Sequence, residues 1–134
     1  MERENLVERR INPRFNVDLP IRYYKPDSTT GRNGRAMNVS EGGILIHLPD
    51  RMEIGQMIKL KLSFYFGLDL ESVEAVTEVI WWAFDLWEVW GDYRSGMKFV
   101  NMSSKDNERY KKLLNHLRVM KDIKNSLPFS ETPS

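Results

Sequence analysis

The chain has 134 residues, enough for one domain with a modest core, and its 41% hydrophobic and 29% charged content fits a soluble globular protein. A formal net charge of +1 argues against a dedicated duplex DNA binder. With no cysteine there is no disulfide or thiolate metal site, which fits a reducing compartment, and no apolar run approaches the roughly 18 residues of a membrane span.

The start, Met1-Glu-Arg-Glu-Asn5, is charged and no apolar run follows it. No signal peptide is expected, and the expected compartment is the cytoplasm. Residues 1–14 form a polar leader in which Arg3, Arg9, Arg10 and Arg14 are partly offset by Glu2, Glu4 and Glu8. With few apolar anchors it is expected to be flexible, and Asn12-Pro13 is a poor place to continue regular structure. Alternation then begins: Phe15, Val17, Leu19, Ile21 and Tyr23 share one face of a strand. Lys25 to Gly34 is rich in turn residues and predicts a loop, followed by a short strand at Arg35–Asn38. Gly42-Gly43 leads into a strand at Ile44–Leu48, apolar on both faces, and Pro49-Asp50 starts another turn.

The clearest strand is Met57–Phe66, with Ile58, Leu60, Leu62, Phe64 and Phe66 inward. Val73, Ala75, Thr77, Val79 and Trp81 continue the scheme, but after Ile80 the apolar phase moves to Trp82 and Phe84. A one-residue change of phase predicts a bulge or a strand end. Gly91-Asp92 suits a hairpin turn, and Tyr93, Ser95, Met97 and Phe99 then alternate with polar residues or glycine. At Ser103 the period becomes helical. Ser103-Ser-Lys-Asp106 resembles a capping box, and Tyr110, Leu113, Leu114, Leu117, Met120 and Ile123 form one stripe. The domains read as a leader over 1–14, a β-barrel over 15–102, a helix packed on the barrel over 103–125, and a disordered tail over 126–134. Six short strands and one closing helix make the class mainly β, a small antiparallel barrel flanked by a helix.

Two motifs carry the chemistry. Arg10-Ile-Asn-Pro-Arg14 places two guanidiniums four residues apart on an irregular segment, where both can reach one polyanion and stack on a flat base. Asn38-Val-Ser40-Glu-Gly-Gly43 supplies an amide, a hydroxyl and backbone N–H groups that a glycine lets a ligand approach. Together these suit a nucleotide with phosphates and a guanine edge. In this order and spacing the pair resembles the PilZ domain, the bacterial receptor module for cyclic di-GMP, over roughly residues 8–124. The resemblance implies a six-stranded barrel with a C-terminal helix, and a ligand site at Arg9, Arg10, Arg14, Asn38, Ser40, Gly42, Gly43 and Gly96. The family more often has Asp where this chain has Asn38, which keeps the acceptor but loses the charge. An arginine at the position of Arg9 is associated in the family with a stacked dimer of the ligand, so two molecules of cyclic di-GMP per chain are expected.

Each signal has a structural alternative. The arginines could be a solvated basic leader; Asn38, Ser40 and Gly43 could be a polar connection in which Gly43 supplies only a positive φ; Gly96 could clear room for a base or mark a bulge. Trp81-Trp82-Ala-Phe84-Asp-Leu86-Trp87-Glu-Val-Trp90 holds all four tryptophans. They suit cross-strand aromatic pairing, or an exposed surface of Trp82, Trp87 and Trp90 for a protein partner. His47 and His116 have no metal-ligand spacing, and Glu41 and Asp50 form no recognisable acid–base pair, so neither catalysis nor a cofactor is expected. The expected function is a receptor in which cyclic di-GMP orders the leader and an unidentified protein effector reads the change. The alternatives are a PilZ-like adaptor that binds no nucleotide, and a barrel that stacks single-stranded nucleic acid on aromatic side chains.

Overall fold

The computed structural model of the chain describes residues 13–84 and 93–126. Arg9 and Arg10, Trp87 and Trp90, the expected Gly91-Asp92 turn and the tail from Leu127 onward lie outside the described residues. Six antiparallel strands, β1 (Phe15–Tyr24), β2 (Arg32–Val39), β3 (Gly43–Leu48), β4 (Met57–Phe66), β5 (Asp69–Phe84) and β6 (Tyr93–Asn101), close a barrel in the order β1-β2-β3-β6-β5-β4. One helix, α1 (Ser104–Ser126), follows. This is the expected mainly β architecture.

Period-two alternation accounts for the core. Ile58, Leu60, Leu62 and Phe64 of β4 are buried, as are Val73, Ala75, Thr77 and Val79 of β5, while the residues between them turn outward or lie at the barrel surface. Thr77 is the polar member of this row; its hydroxyl donates to the Ile58 carbonyl at 2.8 Å, so its burial leaves no polar atom unpaired. β4 and β5 join through Gly67-Leu68, and the positive φ that this two-residue hairpin needs falls on Gly67 (φ 64°).

Three expectations change. β2 begins at Arg32, not Arg35, because pairing with β1 carries Arg32 to Gly34 into the sheet despite their turn-like composition. Trp81 does not face inward: a bulge between Val79 and Trp81 turns it out, and it is 41% exposed. On α1, Tyr110 and Leu113 are buried and Leu114 and Leu117 partly so, but Met120 and Ile123 stand half exposed. Only the first turns of the helix meet the barrel core; the later turns flank the start of β1 across an open groove. At the helix start the Ser103 hydroxyl accepts the Asp106 N–H at 3.1 Å. It also donates to the Asp106 carboxylate at 3.2 Å, so the acid meets the cap's hydroxyl.

Strand pairing sorts the connections onto two ends of the barrel. The start of β1, the turn after β2, the β4–β5 hairpin and α1 gather at one end. The loop after β3 closes the other, with Met52 buried and Asp50 accepting from the Tyr23 hydroxyl at 2.6 Å and paired with Arg32 at 3.3 Å. No described helix is long and apolar enough to cross a membrane.

Candidate functional site

The two motifs meet at the helix end of the barrel. β1 and β2 are neighbours with Asn16 opposite Asn38, which brings Arg14 alongside Asn38 across 24 residues of sequence. The Arg14 guanidinium donates through Nη1 to Asn38 Oδ1 at 2.8 Å. Asn38 sits at a bulge between β2 and β3. The bulge breaks the regular pairing at this residue, a common device for re-aiming side chains at sites.

Ser40 to Gly43 form the tight turn from β2 to β3. The Ser40 N–H donates to the Gly43 carbonyl at 3.0 Å, and the Ser40 hydroxyl approaches the same oxygen at 3.4 Å. Ser40 is therefore buried, with its hydroxyl turned into the turn. The two glycines differ. A Cβ on Gly43 would stand 2.5 Å from the Met97 carbonyl oxygen, so Gly43 is required by the close approach of β6; it has no positive φ, and that alternative is set aside. A Cβ on Gly42 would meet nothing within 4 Å, so the turn presents open backbone there. The Gly42 carbonyl accepts the Phe99 N–H at 3.0 Å, which ties the turn to β6.

Gly96 pairs with Leu45 on one side and with Trp81, at the bulge of β5, on the other. The Trp81 indole lies over it, and a Cβ on Gly96 would come within 2.2 Å of the indole nitrogen. The bulge reading of Gly96 thus has a direct structural basis. Trp82 lies farther along the strand towards the opposite end: it is opposite Ser95, four residues before Phe99, or about 13 Å along the strand from the turn. Its ring meets Tyr93 edge-on at 5.7 Å, and the Arg51 guanidinium lies 5.2 Å from it; Phe84 meets Tyr93 likewise at 5.2 Å. Trp82 and Phe84 thus make cross-strand aromatic pairs with Tyr93.

Sequence reasoning did not assign Tyr110 and the cationic face of α1 to the site. Tyr110 is buried, its ring edge-on to Phe99 at 5.0 Å, and its hydroxyl donates to the Ser40 carbonyl at 2.6 Å. Burial pushes this hydroxyl well above the usual phenol range, and the nearby charge of Arg14 draws it only partly back. Two grooves flank Phe15. One, of about 310 Å³, runs between Glu41 of the turn and Lys111, Leu114, Asn115 and Arg118 of α1. The other, of about 570 Å³, lies between Arg14 and Asn16 and the stretch Leu117 to Lys124, with the Lys121 ammonium 5.9 Å from the Phe15 ring. The larger groove has a mainly apolar floor under a rim of cations, a combination chemically suited to a flat ring carrying phosphates. The excess of lysine and arginine in the helix was the available signal; its position beside the turn was not. No group of His, Cys, Asp and Glu among the described residues could hold a metal ion.

The sequence model described as PilZ domain matches residues 8–116. The fold is similar to that of the PilZ domain of YcgR from Escherichia coli, solved with c-di-GMP (13% identity, TM-score 0.62, covering 89% of this chain and 99% of that one). It is also similar to MrkH of K. pneumonia in its complex with c-di-GMP (15% identity, TM-score 0.64, covering 84% and 54%) and to the Bacillus subtilis inhibitor of motility MotI/DgrA (15% identity, TM-score 0.62, covering 78% and 51%). At these identities the likeness is one of fold. The chain spans about half the length of MrkH and MotI/DgrA. Among curated proteins none matches it.

Proposed function

The chain belongs to the PilZ domain family, and from that premise we propose that it is a receptor for cyclic di-GMP with no catalytic step of its own. The observation that carries the reading is the Arg14–Asn38 contact: residues from the two motifs lie 2.8 Å apart, at the turn that carries the open backbone of Gly42 and at a groove rimmed by Arg14, Lys121 and Lys124. A nucleotide could engage the guanidinium with its phosphate and the Asn38 amide with its base edge, displacing one exposed hydrogen bond. That PilZ proteins of this fold were solved with c-di-GMP supports the choice of ligand.

In this reading Arg9 and Arg10 join Arg14 on the ligand, and the leader folds over it against the barrel. Three guanidiniums suit two stacked molecules better than one. The ordered leader then meets a protein effector. Calorimetric titration with cyclic di-GMP tests the proposal, with GTP and a short oligonucleotide as controls. Saturable binding of cyclic di-GMP alone is expected; tighter binding of the oligonucleotide, or of nothing, refutes it.

A further inference from the structure

The strongest unassigned contact in the site is the one from Tyr110 to the turn. It joins residues 70 apart in sequence, is 2.6 Å long, and lies beneath the ligand motif rather than in it. The ring cannot drift: it is 2% exposed and held edge-on by Phe99, whose own N–H holds the Gly42 carbonyl. A trans peptide is planar, with its C=O and N–H pointing in opposite directions. Among the described residues there is no cis peptide bond. Drawing the Ser40 carbonyl onto the Tyr110 hydroxyl therefore turns the N–H of Glu41 the other way, away from the helix core. Glu41 is exposed and lines the smaller groove.

We infer that Tyr110 is a positioning residue for the ligand turn: its hydroxyl sets the Ser40–Glu41 peptide plane so that the Glu41 N–H is presented to an acceptor atom of the bound nucleotide, a phosphate oxygen or a guanine edge. The inference rests on the reading of this site as a cyclic di-GMP site. It gives α1 a second part in the site, through the backbone of the turn, besides the cations that rim the grooves. It also gives a direct route by which events at the turn reach the helix.

Two variants and two measurements test it. Tyr110→Phe keeps the ring and removes the hydroxyl; Leu113→Ala thins the same helix packing and keeps the hydroxyl. Amide exchange without ligand should quicken over residues 40–43 in Tyr110→Phe. Titration with cyclic di-GMP should show affinity about threefold to tenfold weaker, the weight of one neutral hydrogen bond. Leu113→Ala should lower the melting temperature and leave the affinity within about twofold of native. Unchanged exchange in Tyr110→Phe overturns the inference, as does native affinity in that variant or an equal loss in Leu113→Ala. If the native chain binds no cyclic di-GMP while exchange still quickens in Tyr110→Phe, the ligand assignment fails and the role of Tyr110 in setting the turn stands.

Discussion

Replacing Gly43 by alanine places a Cβ 2.5 Å from the carbonyl oxygen of Met97, under the 3.0 Å that real Cβ contacts respect. The obstacle is backbone, so β3 and β6 must separate where Gly43 faces Lys98. Overpacking of this kind costs about 1–3 kcal/mol, and the gain from a stiffer unfolded chain returns about 0.4–1 kcal/mol. A net loss of about 1–2 kcal/mol lowers the melting temperature by about 3–10 °C in a domain of this size. Gly42→Ala, one residue earlier, meets nothing and requires no positive φ. Its stability should be unchanged or up by about 0.4–1 kcal/mol. If the ligand approaches the open backbone there, the added methyl should weaken cyclic di-GMP binding about tenfold. Thermal melting and calorimetric titration of the two variants together decide the matter. Equal destabilisation by both, or native stability in Gly43→Ala, refutes the assignment of Gly43 to the fold. Native affinity in Gly42→Ala refutes its assignment to the ligand.

Arg14→Ala should weaken cyclic di-GMP binding about 10- to 150-fold by losing a charge-assisted contact, with an unchanged circular dichroism spectrum because the bond it breaks to Asn38 is exposed; Arg10→Ala is expected to do the same. Calorimetry on a known concentration of active protein should give two ligands per chain, shifting towards one in Arg9→Leu, and a ratio of one for the native chain would refute the third arginine's role. Ser40→Ala should cost less affinity than Arg14→Ala, because the hydroxyl is turned towards the Gly43 carbonyl; a larger loss would reverse the order of the contacts. The raised Tyr110 hydroxyl contributes stability that is present below the ordinary phenol value of 10.0 and declines as pH rises above it, since the unfolded chain releases a proton that the fold retains. Melting curves between about pH 8 and pH 11 should therefore fall more steeply for the native chain than for Tyr110→Phe.

Alternation and turn chemistry are local properties, which is why the strands β4, β5 and β6, the bulge near Ile80 and the cap of α1 at Ser103 were legible in the sequence. The motif residues were legible too, because their order and spacing are linear features. Tertiary structure decided what depends on distant neighbours. Arg32 to Gly34 became strand because β1 lies beside them. Gly43 is glycine because the backbone of β6 passes 2.5 Å from where its Cβ would be, whereas Gly42, its sequence neighbour, faces open space. The exposed end of the helical stripe, the grooves on either side of Phe15 and the hydroxyl of Tyr110 beneath Ser40 follow from where a closed barrel sets its helix. Periodicity shows which face of a helix is apolar; only the barrel's closure determines how much of that face it covers and which turn the helix supports.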